Sequence, residues 1–269
     1  MEMNIQVGTT VAELVDAWLR ELRKSGHLEN TTINEYERVL RRLVLPALGT
    51  VRLNDLTTEH IDAVLAELST RSVNRQRKAK VVTGAMLDTA VECGALSSNP
   101  ARGSMSVSRP PAQTRKLTSS DLETVRTAVR AWVSKKRSGP KGTGDMADII
   151  DLMLGTGARI GEVLALRWSD VDLNAPRIHI TATIKTETSL GTYRKPLAKA
   201  RIIEPPDFTV AVLSRRQSKA RGHDEAVFPT RNGTWQQVNN VERRWRQIRK
   251  DADLDWVTPD FFRRHAWEA

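Results

Sequence analysis

Residues 155–173 read GTGARIGEVLALRWSDVDL, and the order of residue types here decides what the surrounding chain can be. Gly155-Thr-Gly157 interrupts an apolar helical run that starts near Met146, since glycine is a poor helix former. Arg159 stands beside the break, and Ile160, Val163, Leu164 and Leu166 return the chain to a core. Glu162 follows Arg159 at the spacing that brings two side chains onto one helix face. The pattern fixes one guanidinium at a rigid edge with a carboxylate in range to orient it. Such a planar, permanently charged fork suits a phosphodiester and the extra negative charge of its transition state. An isolated R-x-x-E pair serves equally well to tie helices together, so the rest of the chain has to choose.

Downstream, Arg177–Ile184 alternates Ile178, Ile180 and Ala182 with polar residues and reads as a strand. Residues 185–198 read as a turn region, Arg201-Ile-Ile203 as a returning strand, and 207–219 and 236–252 as helices. Upstream, Thr118-Ser-Ser-Asp121 is a capping box, and Leu122, Val125, Val129 and Trp132 form the stripe of the helix it opens. SKKRSGPKGTGD, residues 134–145, is a basic loop.

The first hundred residues predict a four-helix bundle. Thr10-Val-Ala-Glu13 caps a helix carrying Val11, Leu14, Val15, Trp18, Leu19 and Leu22 on one face. Thr32-Ile-Asn-Glu35 repeats the cap ahead of Ile33, Tyr36, Leu40 and Leu43, with Pro46 and Gly49 as the stop. Thr57 or Thr58 opens a third helix, and a fourth runs from Val73 to Cys93. Residues 101–116, with Pro110-Pro111 and several serines, read as a linker, leaving 117–269 as a second domain.

Of 42 basic and 32 acidic residues, 1–100 hold 12 and 13, whereas 101–269 hold 30 and 19. The positive excess therefore belongs to the second half and points to a polyanion. Within the neutral half, Arg71, Arg75, Arg77, Lys78 and Lys80 cluster without an acidic neighbour and could track a phosphate backbone. A solvated helix face is the alternative. No apolar run approaches the roughly 18 residues of a membrane helix, so no membrane partner is expected. The lone Cys93 excludes an intrachain disulfide and a cysteine-based zinc cluster. With no basic-then-apolar N-terminal segment, the expected setting is the cytoplasm.

Thr156, Gly157, Arg159, Glu162, Val163, Leu166, Trp168, Asp170, Val171 and Asp172 match the first arginine box of tyrosine recombinases, and the segment closely resembles it. KLTSSDLETV resembles the opening of that family's catalytic domain, and NPA at 99–101 the exit from its core-binding domain. The resemblance covers nearly the whole chain. It implies a mainly α fold: an N-terminal four-helix core-binding (SAM-like) bundle, 1–100, and a mostly helical catalytic domain with a small antiparallel sheet. It also implies double-stranded DNA as partner, held in a clamp between the two domains, and strand transfer through a 3′-phosphotyrosine without metal, ATP or other cofactor.

By the same resemblance Arg159 and Arg263 are the phosphate-binding arginines and Glu162 supports the first. Lys199 is the general acid, with Lys195 and Lys185 as competitors, and the basic cluster of the fourth helix contacts DNA. Two departures stand out. The second box reads Thr258-Pro-Asp-Phe-Phe-Arg263-Arg264-His265, with Asp260 where the family has histidine, a carboxylate that would repel a phosphate. No tyrosine follows it: Tyr36 and Tyr193 are the only two, and neither matches a nucleophile. The expectation is a C-terminally truncated phage or prophage integrase that binds DNA without cleaving it alone. Two other readings stay open: an accessory or inhibitory DNA-binding protein, paired with itself or with an intact recombinase, and an enzyme completed by a tyrosine donated in trans.

Overall fold

Thr10 opens the first helix, α1 (Val11–Ser25), with the expected capping box, the Thr10 and Glu13 amides each donating to the other's side chain at 2.8 and 3.3 Å. The computed structural model describes residues 5–107, 116–134, 145–187, 190–220 and 225–264. The second expected cap is absent. Helix α2 (Asn30–Val39) starts from Glu29, so Thr32 and Glu35 lie inside it. Glu35 instead pairs with Arg38 and, at 2.6 Å, with Lys78, and two cations outcompete one amide.

Pro46 does not stop this helix either. It widens into a π-helical turn, Leu40–Val44, and continues as α3 (Leu45–Leu48). Pro46 has no N–H to give, and the Leu45 N–H reaches back to Leu40 O, so the wider turn carries the chain past it. α4 (Thr58–Arg71) is capped by Thr57, with His60 Nδ1 accepting the Thr57 amide at 3.2 Å, and α5 (Val73–Glu92) completes the bundle. Leu14, Leu40, Met86, Leu87 and Ala90, one apolar stripe from each side, are fully buried in its core.

The chain just past residue 100 packs on this unit, with Ala101 and Ser104 buried against it. Asn99 Nδ2 donates to Gly84 O and Asp88 Oδ1 at 2.9 and 2.7 Å, and Lys80 Nζ donates to the carbonyls of Ser104 and Met105. The segment 101–107 lacks apolar periodicity because it is tied down by polar bonds, not by a stripe. Pro110-Pro111 lies outside the described residues, as do 135–144 of the basic loop.

The second unit, Thr114–Ala269, has its own core. α6 (Ser119–Ser134) carries the predicted Thr118–Asp121 box at 3.0 and 3.1 Å. α7 (Asp145–Thr156) ends where Gly157 takes φ 62° and gives its N–H to Met153 O at 3.0 Å, a left-handed cap that glycine adopts without strain. α8 (Ile160–Leu164) and a 3-10 turn, Trp168–Asp170, lead into a three-stranded antiparallel sheet. Its strands are β1 (Val171–Asp172), β2 (Arg177–Glu187) and β3 (Gly191–Ile203), in the order β1-β2-β3.

The hairpin is therefore longer than the sequence suggested, and most of 185–198 is strand. β2 buries Ile178, Ile180, Ala182 and Ile184. β3 pairs only with β2 and is largely exposed, which hides its alternation and lets an edge strand hold Pro196. Between the pairs Ile180↔Arg201 and Ala182↔Pro196, residues Leu197 to Ala200 bulge opposite Thr181 alone. α9 (Asp207–Gln217), α10 (Val238–Asp251) and α11 (Pro259–Arg264) complete the unit.

Candidate functional site

Arg159 is the N-cap residue of α8, placed there by the Gly157 turn. Its backbone N–H donates to Glu162 Oε2 at 3.0 Å and its Nη1 donates to Glu162 Oε1 at 3.1 Å. Glu162 is 2% exposed, whereas the Arg159 side chain is 70% exposed. One edge of the guanidinium is thus clamped by a buried carboxylate while the rest faces outward. Burial works to raise the Glu162 carboxyl, but the bonds from Arg201 and from the Arg159 amide override it and hold it below the usual glutamate range.

Arg201 is the residue that sequence reasoning missed. Its Nη2 donates to Glu162 Oε2 at 2.7 Å across 39 positions of sequence. A carboxylate this buried, whose neighbouring arginine is mostly exposed, calls for a second cation. Only the register of β2 against β3 says where that cation lies.

Arg159, Glu162 and Lys185 line one cavity of about 480 Å³, with Thr183, Leu197 and Val238 among its walls. Lys185 is half-buried on β2. Lys199 stands exposed in the β3 bulge and is not part of that lining. Lys195 pairs in register with Thr183.

A second network supports the loop beneath the site. Asp170, 5% exposed, accepts from Arg167 Nε and Nη2 at 3.2 and 3.1 Å and from Arg194 Nη2 at 2.9 Å. Arg194 also donates to Ala165 O at 2.9 Å and to Thr181 Oγ1. It ties the end of α8 to the hairpin.

Arg263 lies on α11, which packs against α7, the helix that leads into Arg159. Phe262 anchors α11 by an edge contact with Trp245 at 5.3 Å, and Trp245 Nε1 donates to Val257 O at 2.9 Å. Asp260 accepts both Nε and Nη2 of Arg263, at 2.9 and 2.7 Å, and pairs with Arg264 at 2.9 Å. The carboxylate at position 260 therefore occupies the fork of Arg263 itself. His265 lies outside the described residues.

In the first unit the basic cluster divides. Arg71 pairs with Glu67 at 2.9 Å, Lys78 with Glu35, and Lys80 holds the carbonyls of 104–105. Arg75 and Arg77 are exposed and make no hydrogen bond or ion pair to another described residue. Arg75 shares a groove of about 390 Å³ with Arg38, Arg42, Arg71 and Lys78, and Glu35 is its acidic member. Of the two tyrosines, Tyr36 stacks on Trp18 at 5.8 Å and the Tyr193 hydroxyl donates to Glu187 at 2.5 Å. Among the described residues no group of three or more His, Cys, Asp or Glu could hold a metal, and no helix is long and apolar enough to cross a membrane.

Residues 117–268 match the phage integrase family and residues 10–69 its N-terminal SAM-like domain, so the chain belongs to the phage integrase family. It is 28% identical over 273 residues to an integrase of Streptomyces ambofaciens, with 91% of this chain and 64% of that protein covered. To the tyrosine recombinase XerC of Neisseria meningitidis it is 25% identical over 263 residues, covering 92% of this chain and 78% of the relative. Two DNA complexes share the fold. The Tn1549 transposon integrase with transposon right end DNA aligns over 96% of this chain and 85% of its own, at TM-score 0.76 and 19% identity. A lambda integrase dimer bound to a COC′ core site aligns over 96% and 88%, at TM-score 0.70 and 16% identity.

Proposed function

We propose that these 269 residues bind double-stranded DNA in the cytoplasm and grip a backbone phosphate with Arg159, without cleaving the strand on their own. The observation that carries this reading is the half-clamped guanidinium. Glu162 orders one edge of Arg159, so the outward edge is preorganised to meet two phosphate oxygens at little entropic cost. Arg263 is the second phosphate ligand once Asp260 releases it. Lys185 is the group that protonates a leaving oxygen, since it shares the cavity with Arg159 and Lys199 does not line it.

Neither tyrosine supports an attack on DNA. One is stacked in the bundle, and the hydroxyl of the other is held by Glu187 on the hairpin. Strand cleavage then needs a tyrosine from outside these residues. Self-association, or pairing with an intact recombinase, would be the setting in which it is supplied. A nicked suicide substrate tests the proposal. This chain alone should give a salt-sensitive complex, weakened by Arg159→Ala, and no covalent adduct. An adduct formed by the chain alone would overturn it, as would affinity indifferent to both salt and Arg159.

A further inference from the structure

The oxygens of Glu162 have separate tasks. Oε1 accepts from the Arg159 side chain, and Oε2 accepts from the Arg159 amide and from Arg201 Nη2. We propose that Arg201 is the positioning residue for Arg159: by occupying Oε2 it locks the carboxylate so that Oε1 faces Arg159 and the outer guanidinium edge stays free for a phosphate. The last clause rests on the phosphate reading above, and the rest stands on the free protein.

Three observations converge. Glu162 is nearly inaccessible, and a buried carboxylate with one partner is costly, so a second cation sets both its ionisation and its rotamer. Arg201 comes from a different element, pinned by its register against Ile180 directly after the β3 bulge. Its hold on Glu162 is therefore independent of α8, whereas Arg159 and Glu162 sit on the same short helix and would move together. The other cation lining the Arg159 cavity, Lys185, belongs to β2. The bulge also gains a purpose, because it lets the exposed edge strand deliver one guanidinium inward after four residues that pair with nothing on β2.

The test uses the full chain without DNA. The Glu162 side-chain carboxyl carbon and the Arg159 Nε–H are followed by NMR in wild type and in Arg201→Met, with Arg201→Gln alongside in case the methionine variant does not fold. Loss of the partner should raise the Glu162 titration midpoint by about one pH unit or more, the usual effect of a nearby opposite charge. The Arg159 Nε–H should also broaden and exchange faster, and Arg201→Lys should restore part of both. A folded Arg201→Met or Arg201→Gln protein with the Glu162 midpoint and the Arg159 signal unchanged would overturn the proposal. DNA affinity, measured separately with Arg159→Ala in the wild-type background, decides the phosphate reading. An unaffected affinity would remove that reading while leaving the positioning result intact.

Discussion

Asp260 accepts two hydrogen bonds from Arg263, from Nε at 2.9 Å and Nη2 at 2.7 Å, and so fills the fork that a phosphate would use. Asp260→Asn should raise DNA affinity by about fivefold, because a partly exposed ion pair competes with roughly 1 kcal/mol. The gain should vanish when Arg263→Ala is added. A double-mutant cycle by fluorescence anisotropy measures this, and an equal gain with and without Arg263 would reduce Asp260 to a general repulsion.

Glu162 makes stability depend on acidity. Its folded value lies below the usual 4.5, so its contribution is complete above that value and is lost as pH falls through the lower, folded one. Glu162→Gln should flatten this part of the acid limb of the stability curve, and it should cost about 1–3 kcal/mol at neutral pH by leaving two arginines poorly partnered. Urea melts between pH 3 and pH 7, at about one-unit steps, read both effects. Parallel curves for the two proteins would mean Glu162 does not titrate as described.

Gly155 is required by packing rather than by backbone angle. A Cβ there would lie 1.8 Å from Thr209 Oγ1 and 3.0 Å from Thr209 Cβ on α9. Gly155→Ala should destabilise the second unit by about 1–3 kcal/mol through overpacking. Thr209→Ala in the same chain should recover most of it, helped because Thr209 Oγ1 is buried without a hydrogen-bond partner among the described residues. Thermal melts of the single and double variants decide it, and additive losses would exclude the clash.

Arg75 and Arg77 should carry the electrostatic contact of the first unit, since the other three cluster members are engaged within the protein. Each substitution to Ala should reduce the salt slope of DNA binding by about 0.9. Lys80→Ala should instead lower the melting temperature, as it releases the carbonyls of Ser104 and Met105. Affinity titrations at several salt concentrations separate the two outcomes, and a slope change for Lys80 alone would reverse the assignment.

A fragment ending at Val107 should be more stable than one ending at Pro100. Residues 101–107 bury Ala101 and Ser104 and place the Met105 N–H on Asp62 Oδ1 at 2.7 Å. Denaturant midpoints of the two fragments give the comparison, and equal midpoints would return the segment to the linker.

The sequence by itself determined the helical bundle, the split into two units, the glycine-broken helix and the Arg159–Glu162 pair. These are local properties, written in apolar stripes, caps and short spacings that act within a few turns of chain. It misplaced the start of α2 and the passage past Pro46, where a cation of the same helix, another from α5 and a widened turn overrode local preference. It also misread the hairpin, because an exposed edge strand with a bulge shows no alternation. Only the tertiary structure decided that Arg201 reaches Glu162, that Lys185 rather than Lys199 lines the Arg159 cavity, and that Asp260 closes on Arg263. The first two depend on strand register and a bulge, which bring residues far apart in sequence into contact. The third depends on the rotamers that two neighbouring charges choose once Phe262 has seated their helix against Trp245.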